Sequence, residues 1–254
     1  MDTYKKGLAE ELEGLLLRIN RGKDPQLLCK EAHRLITSIT AHDIARVEER
    51  LVRSGISAQR VQQLSVAFIL MGLMHGQNPN LRQRLGEKHL LRKVIAEHEM
   101  MLCFCADLED VTIDLCRQDR ISTTSSEWML LTHIIEHLDA AIEHLEREND
   151  VIFPEIKRRG WQNLCASAES DHVHIRLLIE ELVTLVGSHT DTPDPNFQGR
   201  LMSIVKTLCP LLKQHIFHED HVLYPVAVAM IDQADFWDRL KVLCDQIGYC
   251  GVHL

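Results

Sequence analysis

His144-Leu145-Glu146-Arg147-Glu148-Asn149-Asp150-Val151-Ile152-Phe153-Pro154 and His215-Ile216-Phe217-His218-Glu219-Asp220-His221-Val222-Leu223-Tyr224-Pro225 are one pattern written twice: His-x-x-x-Glu, then at a fixed distance an aromatic residue and a proline. On a helix, residues four apart share a face, so each His and Glu can approach one cation together. Fifteen histidines in 254 residues make a single such pair unremarkable, but the recurrence with its aromatic-Pro sequel does not look accidental. It predicts two helices built alike, each with its Glu about one and a half turns before a proline stop, inside a bundle with internal pseudo-symmetry.

The surrounding pattern supports inward placement. Leu208, Leu211, Leu212, His215, Glu219, Val222 and Leu223 form one stripe, and Leu130, His133, His137, Ala141, Ile142, His144 and Glu148 form another, less uniformly apolar. A Glu and His turned inward carry a large desolvation cost unless they are paired or bind a metal. The alternative is an exposed i,i+4 contact, which the duplication disfavours.

Two more segments each offer one histidine among apolar neighbours: His98, after Val94 and Ile95 and before Leu102 and Cys105, and His172, before Ile175, Leu178 and Ile179. If four helices face one centre, the ligand set is His98, His144, Glu148, His172, His215 and Glu219. Four imidazoles and two carboxylates suit non-haem iron better than calcium, which takes oxygen, or structural zinc, which closes with four ligands. The two carboxylates can bridge two irons and leave positions open for a diatomic gas or small anion. Six ligands are few for two irons, so one iron, or additional ligands, stays open. Further candidates are His137, His133, Cys105 and His218; His137 stands two turns from His144, about 10 Å along the axis, and suits a separate position. His218 reads as outlying or solvent-facing, and His174 and His221 as surface residues. Arg176, one turn after His172, can hydrogen-bond a bridging carboxylate or bound anion, or can lie along the surface. Haem ligation leaves the paired glutamates unexplained and has no Cys-x-x-Cys-His signal.

Around this centre the chain reads as all-α. Apolar periodicity marks helices near 4–19, 26–37, 40–53 and 57–73, a small helical domain over residues 1–72. A connection at 73–86 carries Gly76, Asn78, Pro79 and Asn80. A four-helix bundle of up-down-up-down order follows over 87–230, its helices near 87–116, 125–153, 167–187 and 197–225, with a loop at 188–199. Residues 231–254 form a C-terminal helix and tail, and nothing reads as a strand. With 45% hydrophobic and 26% charged residues the chain is ordinary for a folded protein. Its net charge of −9 excludes a broad nucleic-acid or anionic-membrane surface. There is no apolar run long enough for a signal peptide or membrane span, so the expected setting of the eight cysteines is a reducing cytoplasm. The pairs Cys103/Cys105 and Cys244/Cys250 lack zinc-ribbon spacing.

Ala96-Glu97-His98-Glu99-Met100, Glu143 to Asn149 with Ile152-Phe153-Pro154, Asp171-His172-Val173-His174-Ile175-Arg176, and His215 to Asp220 with Leu223-Tyr224-Pro225 resemble the hemerythrin-like, or HHE cation-binding, family over about residues 86–228. The resemblance implies a non-haem, usually di-iron, centre that binds dioxygen or nitric oxide or assists iron handling. Leu12 through Gly22-Lys23-Asp24 and Val47 to Ile56, with Phe236-Trp237 and Ile247 to Cys250 at the other end, are similar to a bacterial and archaeal subfamily with a short N-terminal helical domain of unknown role. A sensory PAS domain often follows there; this chain ends at Leu254, which implies signal output, or electron supply, through a protein partner. Three departures bear on function. Arg176 stands where oxygen carriers have a second histidine, His215-x-x-x-Glu219 replaces their His-x-x-x-x-Asp, and His89, Leu90 and Arg92 replace the subfamily's His-Pro-x-His. The expectation is therefore an iron protein that senses or scavenges O2 or NO or serves iron and redox stress responses. The alternatives are a reductase of NO or peroxide, and an interaction module with a vestigial or zinc-filled site.

Overall fold

A computed structural model describes residues 2–22, 25–73, 81–190 and 196–248. Four rods make the bundle: α6 (Leu90–Cys116); α7 (Ser126–Ala140) continued by α8 (Ile142–Arg147) and α9 (Phe153–Arg158); α10 (Gln162–Gly187); and α11 (Phe197–His218) continued by α12 (Tyr224–Met230). Each rod touches its sequence neighbours, and α6 closes the ring against α11, which is the up-down-up-down order. No strand occurs among the described residues. Two of the four rods, α6 and α7, start where a side chain satisfies a free N–H of the first turn. Ser125 Oγ accepts from Trp128 N at 3.2 Å, and His89 Nδ1 accepts from Leu91 N at the same distance.

The helices do not stop at the aromatic-Pro pairs as expected. Glu148–Ile152 and Glu219–Leu223 are π-helical turns, and the chain runs on through Pro154 and Pro225 for another turn or more. In each turn the N–H of the aromatic residue reaches back five residues, Phe153 to Glu148 O and Tyr224 to Glu219 O. A wider turn opens the backbone just ahead of the proline, so its missing N–H sits in a first-turn position where no donor is needed.

A second departure concerns the α7 stripe. Leu130 is 44% exposed and His133 is on the surface, while Leu131, Ile134, Ile135 and Leu138 face inward. The helix is interrupted at Ala141, but the inward positions Leu131, Ile134, Leu138, Ala141, Leu145 and Glu148 keep a spacing of three and four across it. Leu130 and His133 each stand one position off that stripe and so face outward.

The N-terminal helices α1 (Asp2–Asn20), α2 (Pro25–Ile36), α3 (Ala41–Arg53) and α4 (Ala58–Leu73) pack on one another. α3 and α4 also lie against α10 and the α11–α12 rod. α3 opens on a capping box in which Thr40 and Asp43 satisfy each other's backbone N–H groups. Residues 74–80 of the expected connection lie outside the described residues, and the remainder carries the one-turn helix α5 (Leu81–Arg84). α13 (Ala234–Ile247) returns to α6 and α8, burying Trp237, Leu240 and Cys244.

Two apolar cores result. One joins the N-terminal helices, α13 and the near end of the bundle, from Leu12 and Leu16 through Phe68 and Val94 to Phe153, Leu223 and Val226. The other fills the far end, with Leu108, Leu131, Leu182 and Leu208. The inward His and Glu residues interrupt the apolar filling between them.

Candidate metal centre

His98 and Glu97 come from α6, His144 from α8, Glu148 from the first π turn, His172 and Asp171 from α10, His215 from α11 and Glu219 from the second π turn. The six sequence-proposed ligands are all at most 2% exposed. Their donor atoms form two groups, His98/His144/Glu148/Glu219 and Glu148/His172/His215/Glu219, each with all atoms within 4.8 Å of one another. Donors held about 2.0–2.2 Å from a small cation stand roughly 3–4 Å apart. The observed spacings match: His144 Nε2 to Glu148 Oε1 is 3.1 Å, His98 Nε2 to Glu219 Oε2 3.3 Å, His172 Nε2 to Glu148 Oε2 3.2 Å, and His215 Nε2 to Glu219 Oε2 3.2 Å. Glu148 turns one oxygen to each group.

Three oxygens here, Glu148 Oε2 and both of Glu219, are buried with no hydrogen-bond partner. The Nε2 atoms of His98 and His144 face each other at 3.0 Å, as do those of His172 and His215. Leaving such atoms unsatisfied costs several kcal/mol between them, about 1–3 kcal/mol each and more for charged groups. Cations at the two foci would satisfy all of them, and a set of four imidazoles and two carboxylates is the donor chemistry of a transition metal site.

Three of the four imidazoles are held through their other nitrogen, and the Nδ1 of His215 is buried without a hydrogen bond. Nδ1 of His144 lies 2.8 Å from Glu97, that of His98 2.9 Å from Asp220, and that of His172 2.8 Å from Asn149; His215 Nδ1 is 3.6 Å from Asp171. Such partners fix ring orientation and leave Nε2 free as donor. Behind them, the fully buried Arg147 pairs with Glu97, and Gln62 of α4 donates to Asp171 at 2.9 Å. The Tyr224 hydroxyl donates to Glu148 and its ring stacks on His98, while Phe153 stacks on His172 without a hydroxyl to offer.

Charge follows this wiring. Burial would raise Glu148, but His144 first, with His172 and His98, holds it well below the usual carboxylate range. Glu219, pushed up by burial and by Glu148, is brought to about 2 by His215 and His98. Burial opposes charge on His215, yet Glu219 and Asp171 raise it to about 10; Glu148 and Glu97 likewise raise His144, and Asp220 raises His98. His172, with the neutral Asn149, is lowered, chiefly by burial. Burial and the two glutamates push the Tyr224 phenol well above its usual value.

The additional candidates lie elsewhere. His133 and His137 pack on each other and on Phe104, away from either group. Cys105 is buried in the far core, its backbone carbonyl accepting from Cys209 Sγ. His89 is the helix cap of α6 and packs on Trp237. Arg176 pairs with Glu146 at 3.5 Å instead of a site carboxylate, as its long side chain reaches outward along the bundle. His218 is neither ligand nor solvent-facing; it is buried, with Nε2 3.0 Å from Glu48 of α3. His174 is exposed and His221 half-buried, bonded to carbonyls of their own helices. Of the residues not foreseen, Glu97 and Asp171 had a signal: an acidic residue immediately precedes both His98 and His172. Asn149 and Asp220 likewise follow the two glutamates. Gln62 and Glu48 had none, lying more than one hundred residues away in the chain. A cleft of about 430 Å³ between α3 and the Arg159–Trp161 turn is lined by none of these ligands.

Among the described residues no helix is long and apolar enough to cross a membrane. Residues 12–65 match a family of unknown function (DUF438), and residues 89–227 match the hemerythrin HHE cation binding domain. No curated protein matches the chain. With its His and Glu residues in two metal-competent groups and more than half its length matched, the chain belongs to the hemerythrin HHE cation binding domain family.

Proposed function

We propose that this protein holds two non-haem irons and binds a diatomic ligand, O2 or NO, in a sensing or scavenging role. One observation carries this reading: two four-donor groups share Glu148 and Glu219. Two imidazoles and two shared carboxylates per metal fall short of six-coordination, so an iron pair would supply open positions and one-electron redox chemistry. The protein's part is to bind, orient and exclude water. His98, His144, His172 and His215 would be terminal ligands and Glu148 and Glu219 the bridges. Burial of all six keeps bulk water out. The Tyr224 hydroxyl, held protonated by its surroundings, is a neutral proton-bearing group directed at Glu148. Described cysteines are free thiols, which suits a reducing compartment.

Iron-loaded, reduced protein exposed anaerobically to stoichiometric NO, and separately to O2, tests the reading. A saturable change in the visible spectrum is expected with either gas. Full iron content with no spectral response to both contradicts ligand binding. Continuous gas or peroxide consumption with an added electron donor would shift the assignment to a reductase.

A further inference from the structure

The two halves of the centre correspond residue for residue: Glu97 to Asp171, His98 to His172, His144 to His215, Glu148 to Glu219, Asn149 to Asp220, and Phe153 to Tyr224. Their outer hydrogen bonds do not correspond. His98 leans on a carboxylate, Asp220 at 2.9 Å, whereas His172 leans on the neutral amide of Asn149 at 2.8 Å. His144 holds Glu97 at 2.8 Å, whereas His215 stands 3.6 Å from Asp171. Asp171 is drawn off by Gln62, whose Nε2 donates to Oδ2 at 2.9 Å and whose Oε1 accepts from Ser167 Oγ. Gln62, Ser167 and Asp171 are at most 4% exposed, so water does not compete for these bonds. Gln62 belongs to α4, in the segment matched by the family of unknown function.

A carboxylate on the far nitrogen makes an imidazole a stronger donor, and a stronger donor set favours the more oxidised metal. We propose that the two metal positions are electronically unequal, with His98/His144 the more strongly donating one, and that the N-terminal helices set part of this inequality through Gln62. This gives those helices a task at the centre: Gln62 is a positioning residue for Asp171, and through it for His215. The inference rests on the reading of the site as an iron pair.

Mössbauer spectroscopy of the full chain loaded with 57Fe and reduced to the all-ferrous state tests it. Wild type is expected to give two doublets of equal area and unequal splitting. Gln62→Met keeps the shape and removes the donor, so Asp171 turns to His215 and the doublets draw together. Asn149→Asp gives His172 a carboxylate and narrows the difference independently of the N-terminal helices. If Gln62→Met fails to fold by circular dichroism, Ser167→Ala, which unanchors the same amide, is expected to act in the same direction. A single doublet in wild type at full iron loading overturns the inequality while leaving the iron-pair reading intact. Unchanged doublets in the folded Gln62 or Ser167 variant overturn the role of the N-terminal helices. A folded chain that takes up no iron overturns the metal reading and this inference with it.

Discussion

At the scale of single residues, the centre depends as much on what stands behind the ligands as on the ligands. Glu97 touches no focus directly, yet it holds His144 and is itself held by Arg147. Glu97→Gln keeps the shape but weakens the partner, and is expected to lower metal affinity by roughly 10- to 100-fold, read from competition with a chelator. An affinity equal to wild type contradicts the role given to the outer hydrogen bonds. Tyr224→Phe copies Phe153 from the other half and removes one hydrogen bond to a buried carboxylate. It should destabilise the metal-free protein by about 1.5–3 kcal/mol in denaturant unfolding, since the acceptor is charged, with little change in helix content. The six residues that the structure gathers into two metal-competent groups stood out in the sequence because the His-x-x-x-Glu pattern recurs and His98 and His172 each sit in an apolar run. The partners of His218 and Asp171 could not, because Glu48 and Gln62 become neighbours only through tertiary packing.

At the scale of elements, the two π turns and the α2–α4 crossing decide geometry. The order of the four N-terminal helices, the four rods and the C-terminal helix was legible from periodicity and from the punctuating Gly and Pro residues. The π turns were not, since Phe153-Pro154 and Tyr224-Pro225 read equally well as a helix end and as a continuation through a widened turn. The inward face of α7 was hidden because Leu130, His133 and His137 are in helical phase with His144, while the buried stripe runs one position over, through Leu131, Ile134, Leu138 and Ala141. Gly72 shows a different kind of constraint. A Cβ there would stand 2.7 Å from the Cβ of Ile36, so α2 and α4 approach too closely for any side chain at that point. Gly72→Ala is predicted to force the helices apart at a cost of about 1–3 kcal/mol, measured by thermal or denaturant unfolding. Stability at or above wild type contradicts the packing described.

At the scale of the whole molecule, the near core joins the N-terminal helices to the ligand-bearing end of the bundle, so metal loading and folding should be linked. Each site filled by metal at about 100 times its dissociation constant adds about 2.7 kcal/mol, which raises the unfolding midpoint by roughly 5–10 °C per site in a chain of this size. A melting curve unmoved by chelation contradicts that linkage. In the metal-free protein the signs of the pH dependence are opposed. Glu219, lowered to about 2 from 4.5, contributes stability that is full above 4.5 and is lost as pH falls towards 2. His215, raised to about 10 from 6.5, contributes stability that is full below 6.5 and is lost as pH rises towards 10. The site's contribution should therefore peak between about 4.5 and 6.5. At neutral pH His215, raised to about 10, carries a proton that a metal must displace, so loading should release protons into a weakly buffered solution.

The central claim is that four imidazoles and two shared carboxylates hold a pair of metal ions. Anaerobic titration of ferrous iron into the metal-free full chain, with bound iron counted per chain, addresses it most directly. The account predicts saturation at two irons in wild type and a loss of high-affinity binding at both positions in Glu148→Ala, since one carboxylate serves both. Saturation at a single iron in wild type, or an unchanged two-iron end point in Glu148→Ala, would contradict it.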